Sequence, residues 1–150
     1  TDTIFAETPT VDGGKTMAQF YCRRKSLIIN IYSMGSPKEL VNTLLDNIQQ
    51  ERGAMDKLIS NSATVETSNH VKDILTSMII WHWQSEPHYQ HQNFSEHHWQ
   101  HFKCNVNWFM NWQNIDPEAW LLLCKWVADI MNHTMAPGRQ STGSPYICRE

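Results

Sequence analysis

The amino-acid sequence predicts an α/β domain with a mixed five-stranded sheet and helices on both faces. Three short apolar segments, rich in β-branched and aromatic residues, follow one another near the start of the chain with turn residues between them. Segments with helical spacing then alternate with short strand-like segments, giving the order β-β-β-α-β-α-β-α-α. Short turns join antiparallel strands and helical crossovers join parallel ones, so we expect three antiparallel strands plus two parallel strands.

The first three strands are predicted at residues 3–6, 17–22 and 27–32. A turn with the sequence Asp12-Gly13-Gly14 separates the first two, and the basic run Arg23-Arg24-Lys25 ends the second. The third segment is the richest in β-branched residues, which favour extended backbone. Together they predict an antiparallel meander.

The first helix is predicted between Ser36 and Gly53. Ser36 is placed at the N-cap, Pro37 at the first helical position and Glu39 at the position that completes a capping box. Gly53 is expected to end the helix. One face carries an apolar stripe that predicts a buried side, formed by Leu40, Val41, Leu44, Leu45 and Ile48.

The later elements alternate between strand and helix. A fourth strand is predicted at residues 55–60, a second helix after the N-cap Ser68, and a fifth strand at residues 79–83. A third helix is predicted at residues 95–112, and a fourth helix begins at residues 116–118.

Length and composition predict one globular domain. The chain has 150 residues, 41% of them hydrophobic and 18% charged. We assign residues 1–135 to this domain and residues 136–150, where Pro, Gly and Ser dominate, to a tail. Because the sequence opens within a predicted strand, we expect the domain to be truncated at its N-terminus. Seven Trp residues is a high number, and most are expected to be buried.

Charge and cysteine usage narrow the function classes. The net charge of −3 argues mildly against a surface that coats nucleic acid. The four Cys residues form no CxxC pair, which is typical of reduced thiols in an intracellular protein. No signal-peptide pattern is visible, and the longest apolar run, residues 120–124, is too short to span a bilayer. We therefore expect no membrane partner.

The predicted topology brings acidic residues together. In this architecture, which is the ribonuclease H-like fold, the first and fourth strands lie side by side, and the helix after the fifth strand reaches the same place. Asp2 lies at the first strand and Glu96 in the first turn of the third helix. Such carboxylates could bind the metal ions of a phosphoryl-transfer enzyme. The alternative is that Glu96 only complements the helix dipole.

Several short segments, weak singly but specific together, carry a family resemblance. They are Asp2-Thr3, the run from Gly53 to Ser60, the run from Trp83 to Pro87, Gln92-Asn93 with Glu96, and Asn132-His133-Thr134. In this combination residues 1–135 resemble the integrase catalytic core of copia-type long-terminal-repeat retrotransposons, which belongs to the ribonuclease H-like superfamily.

The resemblance implies a triad of Asp, Asp and Glu that binds two divalent cations, Mg²⁺ or Mn²⁺, for DNA 3′-end processing and strand transfer. Asp2 and Glu96 match the first and last positions, and Asn61 falls on the second, 35 positions before Glu96. Asn has no charge and offers one carbonyl oxygen, so we expect a weakened site with little or no activity. Asp56, about 16 Å earlier along the strand, is not expected to substitute. Glu66 could do so only if its turn folds back.

DNA is the implied partner, together with further copies of the same core domain, and the implied location is the nucleus. The candidate nucleic-acid contacts are Arg23, Arg24, Lys25, Gln92, Asn93 and Lys103. The basic run could equally be a solvated turn. After Glu96, His97, His98, His101 and Cys104 stand where the family tends to carry basic residues. We interpret these departures and Asn61 as decay of a mobile element.

Four other hypotheses remain open. His97, His101 and Cys104 share one predicted helix face and could bind zinc, although a chance His-rich face is the favoured alternative. Trp126 lies off its apolar stripe and is expected to face a partner subunit. The chain could also be a non-catalytic DNA-binding or subunit-interaction module with the same fold, or a ribonuclease H-type nuclease. No Gly-rich phosphate loop and no Gly-x-Ser-x-Gly motif is present.

Overall fold

The computed structural model describes residues 1–60, 68–84 and 94–134, apart from the side chains of Phe94, Glu96 and His97. Within these ranges the elements follow the predicted order. The strands are β1 (Asp2–Phe5), β2 (Met17–Cys22), β3 (Ile29–Met34), β4 (Lys57–Ser60) and β5 (Trp81–Gln84). The helices are α1 (Leu40–Gln50), α2 (Asn69–Ser77), α3 (Phe94–Gln113) and α4 (Trp120–Thr134). Turns of 3₁₀ helix, Pro37–Glu39 and Pro117–Ala119, precede α1 and α4.

The strands of the described residues form two sheets. β1, β2 and β3 are antiparallel neighbours in that order, with Asp2 opposite Phe20. β4 and β5 form a separate parallel pair. The predicted single sheet of five strands is therefore not found. β1 pairs with β2, as expected, but it makes no strand pairing with β4. A cavity of about 420 Å³ is lined by both β2 and β4 where the two sheets approach each other.

Helices cover both faces of the three-stranded sheet, as predicted. Alternate residues of β2 enter different cores, as the period of a strand requires. Ala18 and Phe20 join a cluster with α3 and α4, whereas Met17 and Tyr21 join a cluster with α1, α2 and Leu58 of β4. The second cluster thus ties the parallel pair to the rest of the domain.

Three strands, β3, β4 and β5, start two residues later than predicted, and for β3 and β5 the reason lies in the backbone. Leu27 and Ile79 have positive φ values of 59° and 58°, so neither can belong to an extended strand. Leu27 lies in the turn between β2 and β3, where its N–H donates to the carbonyl of Arg23. Ile79 follows the last turn of α2.

The predicted helix ends are partly correct. Ser68 caps α2, since its Oγ accepts from the N–H of Val71. The capping box at α1 is wrong: Ser36 makes no side-chain cap, and the Glu39 carboxylate accepts from the N–H of Gly35. Beyond α1, the positive φ of 56° falls on Arg52 and not on Gly53.

The expectation that most Trp residues are buried is wrong. Trp120 lies in the core, but four Trp side chains are largely exposed to solvent, namely Trp81, Trp108, Trp112 and Trp126. Trp126 is half exposed, and its ring contacts the edge of Phe109 at 5.3 Å between centroids. No helix in the described part of the chain is both long enough and apolar enough to cross a bilayer.

Candidate active site

Thr1 connects the start of β1 to β4 and to α3. Its nitrogen donates to the carbonyl oxygen of Ile59 at 2.7 Å and to Oγ of Ser95 at 2.8 Å. Ile59 belongs to β4, and Ser95 lies in the first turn of α3. Thr1 and Ser95 are both buried. These contacts, which we call the Thr1 junction, join three elements that are distant in sequence.

Gln19 of β2 hydrogen-bonds to the side chains of the two threonines on either side of Asp2. Its side chain is fully buried; Nε2 donates to Oγ1 of Thr1 at 2.5 Å, and Oε1 accepts from Oγ1 of Thr3 at 2.8 Å. Since side chains alternate along a strand, Asp2 projects from the opposite face of the sheet to Thr1 and Thr3. The Asp2 carboxylate accepts from the N–H of Thr3 at 3.0 Å and is partly exposed.

The face that carries Asp2 is the face that α3 covers. Phe20, directly opposite Asp2 in the sheet, contacts the rings of Trp99 and Phe102 on α3 at centroid distances of 5.5 and 5.6 Å. This aromatic packing seats the N-terminal half of α3 against the sheet. Glu96 immediately follows Ser95 in α3, but its side chain lies outside the described part of the structure.

Ser60 ends β4 beside the junction and is fully buried. Its Oγ shares a hydrogen bond of 2.7 Å with Nε2 of His82 on β5. Burial lowers the pKa of His82, and the positive charge of Lys72 lowers it further, so the neutral imidazole is favoured. Asn61 directly follows Ser60 but lies outside the described residues. The Thr1 junction and the neighbouring Ser60 thus contain the residues that directly precede Asp2, Asn61 and Glu96 in the sequence.

Two solved structures with similar folds relate this arrangement to known proteins. A chain of the simian T-cell lymphotropic virus intasome, determined in complex with the PP2A regulatory subunit B56 gamma, superposes with a TM-score of 0.62 at 12% sequence identity. The match covers 83% of the present chain and 46% of that chain. The catalytic core domain of BIV integrase gives a TM-score of 0.52 at 14% identity, covering 82% and 79% of the two chains.

The chain has the fold of an integrase catalytic core. At such low identity the similarity concerns the fold alone, and the chain spans less than half of the intasome chain that it matches. No family model matches the sequence. No curated protein matches it either.

The three candidate ligands on this integrase-like fold are all oxygen donors. Two carboxylates, Asp2 and Glu96, and the amide of Asn61 suit a hard cation such as Mg²⁺ or Mn²⁺ better than a soft metal. Of these three side chains the structure describes only Asp2. Within the described residues, no cluster of three His, Cys, Asp or Glu side chains could hold a metal ion. The zinc hypothesis includes His97, whose side chain is also outside this part.

The predicted nucleic-acid contacts occupy two places on the integrase-like fold. The turn after β2 carries Arg23, Arg24 and Lys25, all exposed. Arg23 forms an ion pair with Glu51, which neutralises part of the charge of this run. Lys103 is exposed on α3, separate from that turn in sequence and element. The remaining two candidates, Gln92 and Asn93, lie outside the described residues.

The thiols of Cys22 and Cys124 are poor candidates for a nucleophile. Burial raises the pKa of Cys22 to about 11 and that of Cys124 to about 12, so both thiols are protonated near neutral pH.

The sequence analysis missed the side chains that organise the junction. Gln19 was the available signal, because it is a single polar residue within the otherwise apolar or aromatic strand Met17–Cys22. A buried polar side chain requires hydrogen-bond partners, and here the partners are Thr1 and Thr3. Ser95 and Ser60 carried no such signal, since serine is common at the ends of helices and strands.

Proposed function

We propose that this chain is an integrase-like polynucleotidyl transferase domain whose activity is reduced by Asn61. The reaction class is metal-dependent hydrolysis at a DNA 3′ end, followed by attack of the 3′-hydroxyl on target DNA. The observation that supports this most strongly is the close contact of the buried Thr1 with Ile59 of β4 and with Ser95 of α3. It joins the strand ends and the helix start on which Asp2, Asn61 and Glu96 depend for a common position.

In this proposal Asp2 and Glu96 hold the divalent cation, and Asn61 adds one neutral oxygen. A bound Mg²⁺ or Mn²⁺ would supply Lewis-acid stabilisation of the charge that develops at phosphorus. Gln19 hydrogen-bonds to the side chains of the residues on either side of Asp2, and Ser95 holds the first turn of α3. One carboxylate fewer leaves less negative charge for two cations, a loss of about 3 kcal/mol or more in transition-state stabilisation.

The finer assignment is also a proposal. The short segments quoted above, from Asp2-Thr3 to Asn132-His133-Thr134, support an origin in a copia-type retrotransposon. A functional element of that kind would act on DNA in the nucleus and would assemble through its core domain. In this interpretation Asn61 marks the loss of one charged metal ligand, and His97 marks the loss of one basic contact to DNA.

The test is thermal unfolding of the parent chain and of Asn61→Asp, each with and without Mn²⁺. A ligand that binds only the folded state stabilises it by about 2.7 kcal/mol at one hundred times its dissociation constant. We expect Asn61→Asp to gain stability with Mn²⁺ and the parent to gain much less. The control is Asp2→Asn in the Asn61→Asp background, which should abolish the gain.

A nicking assay on a labelled DNA duplex completes the test. Asn61→Asp with Mn²⁺ should cleave or join DNA at least a hundredfold faster than the parent, consistent with about 3 kcal/mol or more of restored stabilisation. Equal activity of the parent with Mg²⁺ would contradict the impairment. If Mn²⁺ stabilises neither protein, the three positions do not form one metal site.

A non-catalytic module that binds a partner subunit is the second candidate. It is favoured by the exposed aromatic side chains of α3 and α4, since Trp112 is 64% exposed and Trp126 is 50% exposed. Large exposed apolar side chains grouped on neighbouring helices are typical of interaction surfaces. Sedimentation of the parent and of Trp126→Ala tests for this surface, which predicts a lower association state in the variant, and the response of Asn61→Asp to Mn²⁺ discriminates the two candidates.

A further inference from the structure

We propose that Trp81 and Trp83 of β5, with Lys57 of β4, form a stacking surface for unpaired nucleic-acid bases. This surface deepens the proposed function, on which it rests for taking DNA as the natural source of the single strand. Trp83 lies opposite Ile59, whose carbonyl belongs to the Thr1 junction, so the surface leads from the candidate active site along β5. Its binding property is independent of the metal ligands.

The two indoles share one face of the parallel pair. Trp81 and Trp83 are two residues apart on β5, so their side chains project from the same side of the strand. Lys57 is directly opposite Trp81, and its Nζ lies 4.5 Å from the centroid of the Trp81 ring and 5.0 Å from that of Trp83. One ammonium group therefore contacts both rings through cation–π attraction.

The face of the parallel pair that carries Lys57, Trp81 and Trp83 does not belong to either hydrophobic cluster. On the opposite face of the parallel pair, Leu58 and Ser60 of β4 are buried. Leu58 packs towards α2, and Ser60 contacts β5. On the face that carries the indoles, Lys57 and Trp81 are exposed. Trp81 is 67% exposed. The solvated face of a sheet normally carries polar residues. Trp81 at that face therefore gains little for folding, and its ring, next to the partly buried Trp83, presents flat apolar surface to a ligand.

The charge beside the indoles suits a phosphate backbone. An adjoining groove of about 470 Å³ is lined by both Trp residues, by Lys72 and by polar side chains such as Thr76 and Gln84. The residues that line it in the described part of the chain include no carboxylate. Lys72 acts on this groove electrostatically, since its charge contributes to the lowered pKa of His82. Positive charge next to exposed aromatic rings is the combination that binds single strands.

Single strands are expected to bind and duplexes are not. Bases in a duplex already stack on each other inside the helix, so they present no free faces to Trp81 and Trp83. Each unpaired base can stack on an indole, while the ammonium of Lys57, which lies beside both rings, can pair with a phosphate between bases.

The test is a titration of the full chain with an oligothymidylate of about 12 nucleotides, in EDTA, followed by quenching of Trp fluorescence. We expect Trp81→Ala and Trp83→Ala each to weaken binding about tenfold. Trp81→Phe should retain most of the affinity, because a phenyl ring still stacks. Lys57→Gln should reduce the slope of log affinity against log salt by about 1. Trp112→Ala removes another exposed Trp, on α3, and should leave binding unchanged.

Several results would overturn the proposal. Equal binding of a duplex of the same length, no binding of the oligothymidylate, or equal weakening by Trp112→Ala would each exclude a base-stacking surface at β5. A change in sedimentation of Trp81→Ala without any change in oligonucleotide binding would assign the face to a protein partner. Because EDTA removes metal, these outcomes do not depend on whether Asn61→Asp responds to Mn²⁺.

Discussion

The side-chain amide of Asn132 exchanges two hydrogen bonds of 2.8 Å with the backbone of Ile29. Its Oδ1 accepts from the Ile29 N–H, and its Nδ2 donates to the Ile29 carbonyl. Ile29 is the first residue of β3, the edge strand of the three-stranded sheet, and Asn132 lies in the last turn of α4. The amide pairs with the edge strand as the backbone of a further strand would. It thereby fixes the end of α4 to Ile29, which lies 103 residues away in the sequence.

Replacing Asn132 should be costly, and Asp should be worse than Ala. Asn132→Ala leaves both backbone groups of Ile29 without their partner, a loss of about 1–3 kcal/mol. Asn132→Asp keeps the shape but sets a carboxylate oxygen against the Ile29 carbonyl. Urea unfolding of both variants checks this order. If the two variants prove equally stable, the hydrogen bond to the Ile29 carbonyl contributes nothing.

Ile79→Gly should stabilise the chain by about 1 kcal/mol. Ile79 is 91% exposed and has a left-handed φ of 58°, which is unfavourable for a β-branched residue. It lies at the end of α2, where the N–H groups of Ile79 and Ile80 close the helix, a position that usually holds glycine. Urea unfolding measures the gain. Arg52→Gly at the equivalent point after α1 is the matched comparison and should gain less, because Arg is not β-branched.

Acidification should destabilise the chain through His82. Its pKa in the folded state is lowered by burial and by Lys72, so on acidification the unfolded chain takes up the proton first. Between the folded and unfolded pKa values the unfolded state binds more protons, and the free energy of unfolding therefore falls as pH falls. His82→Gln should flatten this part of the profile between about pH 7 and pH 5. His70→Gln, at an exposed position on α2, should not flatten it.

Ser95→Ala should uncouple β1 from α3 while leaving the fold intact. The variant loses the acceptor of the hydrogen bond from the Thr1 nitrogen and should be less stable by about 1–2 kcal/mol. In the Asn61→Asp background it should also reduce the stabilisation by Mn²⁺ by more than half. Ser77→Ala, which removes a hydroxyl at the end of α2, is the control. An unchanged response to Mn²⁺ in Ser95→Ala would show that the junction does not position the ligands.

Local patterns predicted the elements well where the chain obeys its usual preferences. β2 was predicted with its observed bounds because apolar residues and Gln19 run through it without interruption. β3 and β5 were misplaced by two residues because Leu27 and Ile79 adopt a conformation that sequence rules reserve for glycine. The exposure of Trp81 was equally invisible, since no local rule says which face of an edge strand will lack a covering helix.

The candidate site was predictable only in outline. The order of strands and helices predicted that Asp2 and Glu96 lie near each other, and the resemblance added Asn61; the grouping of these three side chains stays a prediction. The contacts that hold the region together depend on tertiary structure: Gln19 lies 18 residues from Thr1, and Ser95 lies 94 residues from it. Such pairs carry no spacing signal, so only the folded chain reveals them.

The division into two sheets has a thermodynamic consequence for the candidate site. Asp2 begins one sheet, and Ser60, the residue before Asn61, ends the other. A fluctuation that parts the sheets at Thr1 would separate these positions. It would also open the cluster that Leu58 shares with Met17 and Tyr21, whereas the cluster under α3 and α4 would stay intact. Such sub-global opening costs less free energy than complete unfolding and is visible in native-state hydrogen exchange. Much of the chain can therefore stay folded through openings that separate Asp2 from Ser60, so the lifetime of the contact between the sheets, rather than global stability, limits how long the candidate site keeps its arrangement.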